Sequence, residues 1–225
     1  MTLKLEPLAT TPPDAVLVGD PRRAFALAQA LTEGPRMTHI ARGLWGYLGR
    51  FGTGSLTVQS TGAGGGASAV IVTELAALGV KRMIRLGSCE AVDPELEPGK
   101  MLVVRRAYGE DGATASLTRS GSDRVAVDPD PGLTDSIAPA GEPVEVTSRD
   151  LIGRIDPGPD PASPVRDLQT AAFLASAAGN GVTAATILVV AEDRTGGRLP
   201  EKEIEQSFGA LGGILGRALG RNNTT

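Results

Sequence analysis

Residues 83–91 read MIRLGSCEA, a short apolar strand that runs up to Arg85 and is followed by a predicted turn at Gly87 and Ser88. In open α/β sheets, ligands bind in the crevice beyond the carboxyl ends of the strands. A guanidinium group and a hydroxyl group at such a strand end would bind an anion well. The alternative interpretation is a solvated arginine at a strand end, followed by an ordinary turn.

Around this stretch, short apolar runs alternate with segments whose apolar residues have helical spacing. The predicted strands are 15–18, 82–86, 101–106, 124–127, 143–147 and 184–190, with a strand-turn-strand unit over 36–60; the predicted helices are 21–31, 66–78, 165–178 and 200–219. This alternation predicts an α/β fold, with a mixed, mostly parallel central sheet and helices on both faces. We expect a single domain over residues 1–225, with residues 1–14 as an N-terminal arm and 109–142 as irregular excursions.

The composition excludes several classes of protein. A net charge of −4 argues against binding to a nucleic-acid backbone. One cysteine excludes an intrachain disulfide framework, and one histidine argues against a zinc site with several ligands, so no metal is expected. No apolar run approaches the ~18 residues of a membrane-spanning helix, and residues 1–7 lack a signal-peptide pattern. We therefore expect a cytoplasmic protein that binds neither nucleic acid nor membrane.

The first strand and helix carry a second signal for an anion. Residues 19–23 read GDPRR, in which Asp20 can cap the helix and Pro21 can occupy its first position. Arg22 and Arg23 then lie in the first helical turn, where positive side chains are unfavourable against the helix dipole unless an anion joins them. The pattern favours phosphate at this helix terminus, and the alternative is that both arginines are solvated.

A glycine-rich loop, TGAGGGAS at residues 61–68, leads into the helix predicted at 66–78. Its glycines would let backbone amides approach a ligand closely. Gly62, Gly64 and Ala67 also fit the dinucleotide-binding fingerprint, but basic residues occupy the region where an acidic ribose ligand is expected about 20 residues later. A dinucleotide-dependent oxidoreductase is therefore an alternative that rests on this loop alone.

Four motifs in order, GDPRR at 19–23, RG at 42–43, GAG at 62–64 and IRLGSC at 84–89, resemble the nucleoside phosphorylase-I family. This family includes the bacterial hexameric purine nucleoside phosphorylases and the uridine phosphorylases. The resemblance implies phosphorolysis of the N-glycosidic bond of a purine or pyrimidine nucleoside, which gives the free base and ribose or deoxyribose 1-phosphate. It also implies inorganic phosphate as a co-substrate, no metal or organic cofactor, and a homodimer or a hexamer built as a trimer of dimers.

The resemblance implies a phosphate site residue by residue. Gly19 would offer its backbone N–H, and Arg23 and Arg85 would clamp the phosphate. Ser88 would add its hydroxyl group, and Arg42 would reach across a dimer interface to the neighbour's phosphate. Such a set holds phosphate against the anomeric carbon and balances its charge against an oxocarbenium-like transition state, so Arg85 is also a catalytic candidate.

The half of the site that would hold the sugar departs from the family pattern. Leu168 and Gln169 occupy the place of a Met-Glu pair whose glutamate accepts the ribose hydroxyls. Glutamine supplies no carboxylate, and a neutral hydrogen bond in place of a charge-assisted one costs about 1 kcal/mol or more. Glu192 takes the position of the family's general acid, and Asp193, the next residue, is the alternative candidate for that role. A carboxyl group there could protonate a leaving purine.

The base is expected to meet Gly87, Ile152 and Glu192, where Ile152 stands near the place of the family's stacking aromatic. These residues specify neither the base nor the choice between ribose and deoxyribose, and the proline-rich loop 156–164 receives no role. Two hypotheses follow: a phosphorylase, or a catalytically weak relative that binds a nucleoside or a phosphorylated ligand. A hydrolytic nucleosidase of the same fold is disfavoured because Arg23 and Arg85 are both present.

Overall fold

The computed structural model describes residues 5–151 and 163–221. Its strands are β1 (Asp14–Val18), β2 (Glu33–His39), β3 (Gly46–Phe51), β4 (Gly54–Ser60), β5 (Arg82–Ala91), β6 (Met101–Glu110), β7 (Val125–Val127), β8 (Glu142–Arg149), β9 (Val165–Asp167) and β10 (Thr183–Glu192). Its helices are α1 (Pro21–Leu31), α2 (Gly65–Ala77), α3 (Gly112–Thr118), α4 (Pro131–Ser136), α5 (Thr170–Gly179), α6 (Glu201–Gly209) and α7 (Gly212–Ala218).

These strands form one mixed sheet. β10 pairs with both β5 and β6, so β5, β10, β6, β8 and β9 make a closed ring of paired strands. β1, β4, β3 and β2 extend from β5 as an open wing. The predicted fold class, α/β with a mixed sheet, is confirmed, although parallel and antiparallel pairings are equally common among the described strands.

Because successive side chains of a strand point to opposite faces of the sheet, the apolar core lies on both faces. In β1, Ala15 and Leu17 pack in the cluster that contains the apolar residues of α2 and α5, whereas Val16 and Val18 pack in the cluster of α1, α6 and α7. A strand buried on both sides reads as a continuous apolar run, which is why it was recognisable in the sequence. Helices cover both faces, as predicted.

The stretch at residues 83–91 does not turn where the sequence suggested. β5 continues through Gly87 and Ser88 to Ala91, because β10 runs parallel to it and pairs with it as far as Glu90. The prediction of a turn at these two residues was therefore wrong. Gly87 does not bend this strand; its missing side chain leaves space for a close neighbour.

Three further predictions of elements need correction. The helix predicted from residue 165 begins only at Thr170, since Val165–Asp167 is a short strand between β5 and β8. The last helix is interrupted between Gly209 and Gly212, where glycines lower helix propensity. Residues 109–142 contain α3 and α4, each capped by an aspartate, in addition to the short strand β7.

The N-cap of α1 agrees with the sequence prediction. The Asp20 carboxylate accepts hydrogen bonds from the backbone N–H of Arg22 at 2.6 Å and of Arg23 at 3.3 Å. We expect Asp20→Ala to lower the free energy of unfolding by about 1 kcal/mol, because two N–H groups lose their acceptor. Asp20→Asn keeps an acceptor and should lose much less. Urea denaturation of both variants checks this, and equal losses would contradict the capping role.

Candidate functional site

A cavity of about 500 Å³ lies at the carboxyl ends of the mutually parallel strands β4, β1, β5 and β10. It is the crevice in which the sequence suggested an anion site. The sequence-predicted residues that line it are Gly19, Arg23, Arg85, Gly87, Ser88, Leu168, Gln169 and Glu192. The fold therefore brings together residues that are widely separated along the chain.

Arg85 lies almost fully buried on the face of β5 that meets α5. Its Nη2 pairs with Asp167 Oδ2 at 3.0 Å, and its Nη1 donates to Thr170 Oγ1 at 3.1 Å. The guanidinium group lies over Gly87, where a Cβ atom would overlap it, so this glycine is needed for space. Burial lowers the pKa of Arg85, and Asp167 opposes that effect. The Nε of Arg85 is buried and has no hydrogen-bond partner among residues 5–151 and 163–221.

Asp167 organises this side of the cavity and was not identified from the sequence. It is 2% exposed and accepts hydrogen bonds from Ser148 Oγ at 2.6 Å and from Thr170 Oγ1 at 2.7 Å. It also accepts hydrogen bonds from the backbone N–H groups of Gln169 and Thr170, both at 3.2 Å, where α5 begins. An aspartate just before a helix is a helix-start signal, but the helix predicted to begin at residue 165 placed Asp167 inside the helix.

Arg23 and Ser88 meet on the other side of the cavity. Arg23 Nη1 donates to Ser88 Oγ at 3.3 Å, so a residue of α1 reaches the strand that carries Arg85. Arg23 Nη2 also donates to Glu201 Oε2 at 2.9 Å, and Nε pairs with the other carboxylate oxygen. Arg23, Arg85 and Ser88 all line the cavity. Two cations and a hydroxyl group therefore face one cavity.

The Gln169 side chain makes two hydrogen bonds to the glycine-rich loop after β4. Its Nε2 donates to the carbonyl oxygen of Gly62 at 2.6 Å, and its Oε1 accepts from Thr61 Oγ1 at 3.2 Å. A glutamate could not donate to Gly62, so this contact requires the amide. Gly62 and Gly64 have φ values of 77° and 87°, which explains the glycine pattern of the loop by its backbone shape.

The structure separates the two acid candidates. Glu192 lines the cavity and pairs with Arg198, whose Nη2 lies 3.0 Å from Oε2. The Asp193 carboxylate is used in the following turn, where it accepts from Thr195 Oγ1 and the backbone N–H of Thr195, both at 2.7 Å, and from the N–H of Gly197 at 2.9 Å. These hydrogen bonds lower the pKa of Asp193, which is the opposite of what a general acid needs.

Neither Arg42 nor Cys89 adds a charged group to this cavity. Arg42 adopts a left-handed conformation, with φ of 59°, in a short 3₁₀ turn and is not among the described residues that line the cavity. Ile152 and most of the proline-rich loop lie outside the described residues. Cys89 lines the cavity, but burial raises the pKa of its thiol, so it is a poor nucleophile.

Fold and site together define an α/β protein with a crevice lined by two arginines at the ends of parallel strands. A family model described as Phosphorylase superfamily matches residues 13–149, and the chain belongs to this family. The predicted resemblance to the nucleoside phosphorylase-I family is thereby confirmed. None of the helices within 5–151 and 163–221 is long and apolar enough to cross a lipid bilayer.

Individual relatives are also nucleoside phosphorylases by name. The chain is 34% identical over 100 residues to a uridine phosphorylase of Haemophilus influenzae, which covers 44% of this chain and 39% of that protein. It is 26% identical over 206 residues to a DeoD-type purine nucleoside phosphorylase of Alkaliphilus metalliredigens, which covers 86% and 88%. A purine nucleoside phosphorylase structure from Toxoplasma gondii, in complex with immucillin-H, has a TM-score of 0.81 at 19% identity and covers 93% of this chain and 90% of that one. The chain spans less than half the length of the uridine phosphorylase that it matches, and most of the length of the Alkaliphilus protein.

Proposed function

We propose that this chain cleaves the N-glycosidic bond of a purine or pyrimidine nucleoside with inorganic phosphate. The products are the free base and ribose or deoxyribose 1-phosphate. The observation that supports this most is the convergence of Arg23, Arg85 and Ser88 on one cavity, which Gly19 also lines. Relatives whose names state purine nucleoside and uridine phosphorylase activity agree with it.

Phosphorolysis depends more on the positioning of phosphate than on general acid-base catalysis. A phosphate oxygen forms a bond to the anomeric carbon while the carbon–nitrogen bond breaks, and the bonding electrons leave with the base. Arg23, Arg85 and Ser88 would hold the phosphate and neutralise part of its charge without reorganising during the reaction. Glu192 is the better placed of the two acid candidates to deliver a proton to the leaving base.

A second candidate is a catalytically weak relative that binds a nucleoside or a phosphorylated ligand. Its support is that both ends of the Gln169 amide are already hydrogen-bonded within the protein. In addition, both arginines that line the cavity already pair with a carboxylate, Arg23 with Glu201 and Arg85 with Asp167. A ligand anion would therefore meet partly neutralised cations.

The proposed activity also implies a co-substrate, an oligomeric state and a compartment. Inorganic phosphate is a co-substrate, and neither a metal nor an organic cofactor takes part. Arg42 acts in the site of a second copy, in a homodimer or a hexamer built as a trimer of dimers, in the cytoplasm.

Assay of the purified chain with a nucleoside panel, with and without phosphate, tests the function. We expect free base and sugar 1-phosphate to appear only when phosphate is present. Base released equally without phosphate would indicate hydrolysis and contradict the proposal. A thermal shift that grows with phosphate or nucleoside concentration, without product, would select the binding protein.

A further inference from the structure

The arginine that reaches the cavity from α1 is paired with a carboxylate from the last part of the chain. Arg23 lies in the first turn of α1, and Glu201 is the first residue of α6. Nε and Nη2 of Arg23 donate to the two carboxylate oxygens of Glu201, and the Nη2 contact is 2.9 Å long. Glu201 therefore supplies a negative charge at a place where an arginine is otherwise unfavourable against the helix dipole.

The packing of α6 against α1 sets the position of Glu201. Phe208 of α6 is fully buried in the apolar cluster that contains the buried residues of α1. At the other end of these helices, a Cβ atom on Gly209 would lie 3.3 Å from the Cβ atom of Ala30. The two helices therefore run side by side in the same direction, and the start of α6 holds Glu201 against Arg23.

Glu201 contacts Arg23 from outside the cavity. Arg23 and Ser88 line the cavity, whereas Glu201 is not among the described residues that do so. The Arg23 side chain is 14% exposed and that of Glu201 is 53% exposed, so the arginine lies between the cavity and a carboxylate that faces solvent. A carboxylate that took the place of a ligand anion would itself line the cavity. This arrangement favours a carboxylate that supports Arg23 over one that competes with a ligand.

The contact with Glu201 uses one edge of the Arg23 guanidinium group. Nε and Nη2 each donate one hydrogen to Glu201, and Nη1 donates one to Ser88 Oγ at 3.3 Å. The second hydrogen of each Nη atom has no partner within 5–151 and 163–221. The Ser88 hydroxyl group accepts in this contact, so it can still donate its own hydrogen to an oxyanion.

We propose that Glu201 is a positioning residue for phosphate, which acts by holding Arg23 in the orientation that binds it. The identity of the anion rests on the proposed function. A long arginine side chain that is already ordered loses less entropy when it binds a ligand. Because Glu201 is half exposed, solvent screens its charge, and its effect on the orientation of Arg23 outweighs its repulsion of phosphate.

The test measures the binding of inorganic phosphate by calorimetry at constant ionic strength, in the native chain and in Glu201→Gln. Glutamine cannot accept from both Nε and Nη2 of Arg23, because one of its two terminal groups is an NH2 donor. We expect the Kd for phosphate to rise about fivefold, the effect of leaving one flexible side chain to be ordered on binding. The unfolding midpoint should change little, as expected for a half-exposed ion pair.

Glu203→Gln is the matched control, because Glu203 is exposed in the same first turn of α6 and the variant loses the same charge. It should bind phosphate like the native chain. In phosphorolysis by Glu201→Gln, the KM for phosphate should rise at a nearly unchanged kcat, because saturating phosphate orders Arg23 again.

Tighter phosphate binding by Glu201→Gln would overturn the inference, since Glu201 would then compete with phosphate for Arg23. An unchanged Kd, or an equal loss in Glu201→Gln and Glu203→Gln, would overturn it as well. If the native chain bound no phosphate, the inference would fail whether or not nucleosides released their base. Weaker phosphate binding by Glu201→Gln without phosphorolysis by the native chain would support Glu201 and contradict the proposed activity. Phosphorolysis with an unchanged KM for phosphate in Glu201→Gln would do the reverse.

Discussion

Replacing Arg85 by lysine is expected to lower kcat/KM for phosphorolysis by about 100-fold, the loss typical of removing a transition-state charge contact. Lysine keeps the charge that Asp167 needs, so the fold should survive. It cannot keep the geometry, because a single ammonium group cannot contact Asp167, Thr170 and a ligand oxygen as the guanidinium fork can.

The measurement is steady-state phosphorolysis with varied phosphate, together with the unfolding midpoint of each variant. The control is Arg105→Lys, because Arg105 on β6 is a half-exposed arginine paired with Asp135 away from the cavity. Its activity should match that of the native chain. If Arg85→Lys retained activity within about threefold at an unchanged unfolding midpoint, Arg85 would have no special role in the reaction.

Replacing Asp167 by asparagine is expected to lower the free energy of unfolding by about 3 kcal/mol or more. The change leaves Arg85 as a buried charge without its partner, and it turns the acceptor of Ser148 and Thr170 into a group that also donates. The same substitution at an exposed pair should cost less than about 1 kcal/mol. Asp135→Asn is therefore the matched control, since Asp135 is 72% exposed.

Urea denaturation gives the free energy of unfolding of each variant, and the variants are compared where the m-value is unchanged. The double variant Asp167→Asn with Arg85→Met removes both charges, and we expect it to regain part of the lost stability, because no unpaired buried charge remains. Equal losses at Asp167 and Asp135 would mean that the buried pair does not hold this part of the fold together.

Part of the site follows from local patterns in the sequence. Asp20 and Pro21 specify the start of α1, and the apolar run at 15–18 specifies a strand buried on both faces. Arg23 stands out because a positive side chain in the first turn of a helix is unfavourable without an anion, and Arg85 because it follows an apolar run at a predicted strand end. The prediction for residues 165–169 failed because helical spacing alone cannot distinguish a three-residue strand from the first turn of a helix.

The partners of these arginines could not be predicted from the sequence. Glu201 lies 178 residues from Arg23, and Arg166 lies 76 residues from the Glu90 that it holds. No local preference links such positions, because only the packing of α6 against α1 and of β9 against β5 brings them together. The role of Gln169 was likewise invisible, since it depends on where the carbonyl of Gly62 points.

The sequence by itself determined the alternation of strands and helices, the glycine-rich loop at 61–68 and the family, because these depend on side-chain period and short motifs. Tertiary structure alone decided that β5 runs straight through Gly87, that Asp167 and Glu201 hold the arginines, and that Glu90 rather than Asp193 joins the cavity. The physical reason is that charged groups find their partners through space, across strands whose neighbours in the sheet are distant in the chain.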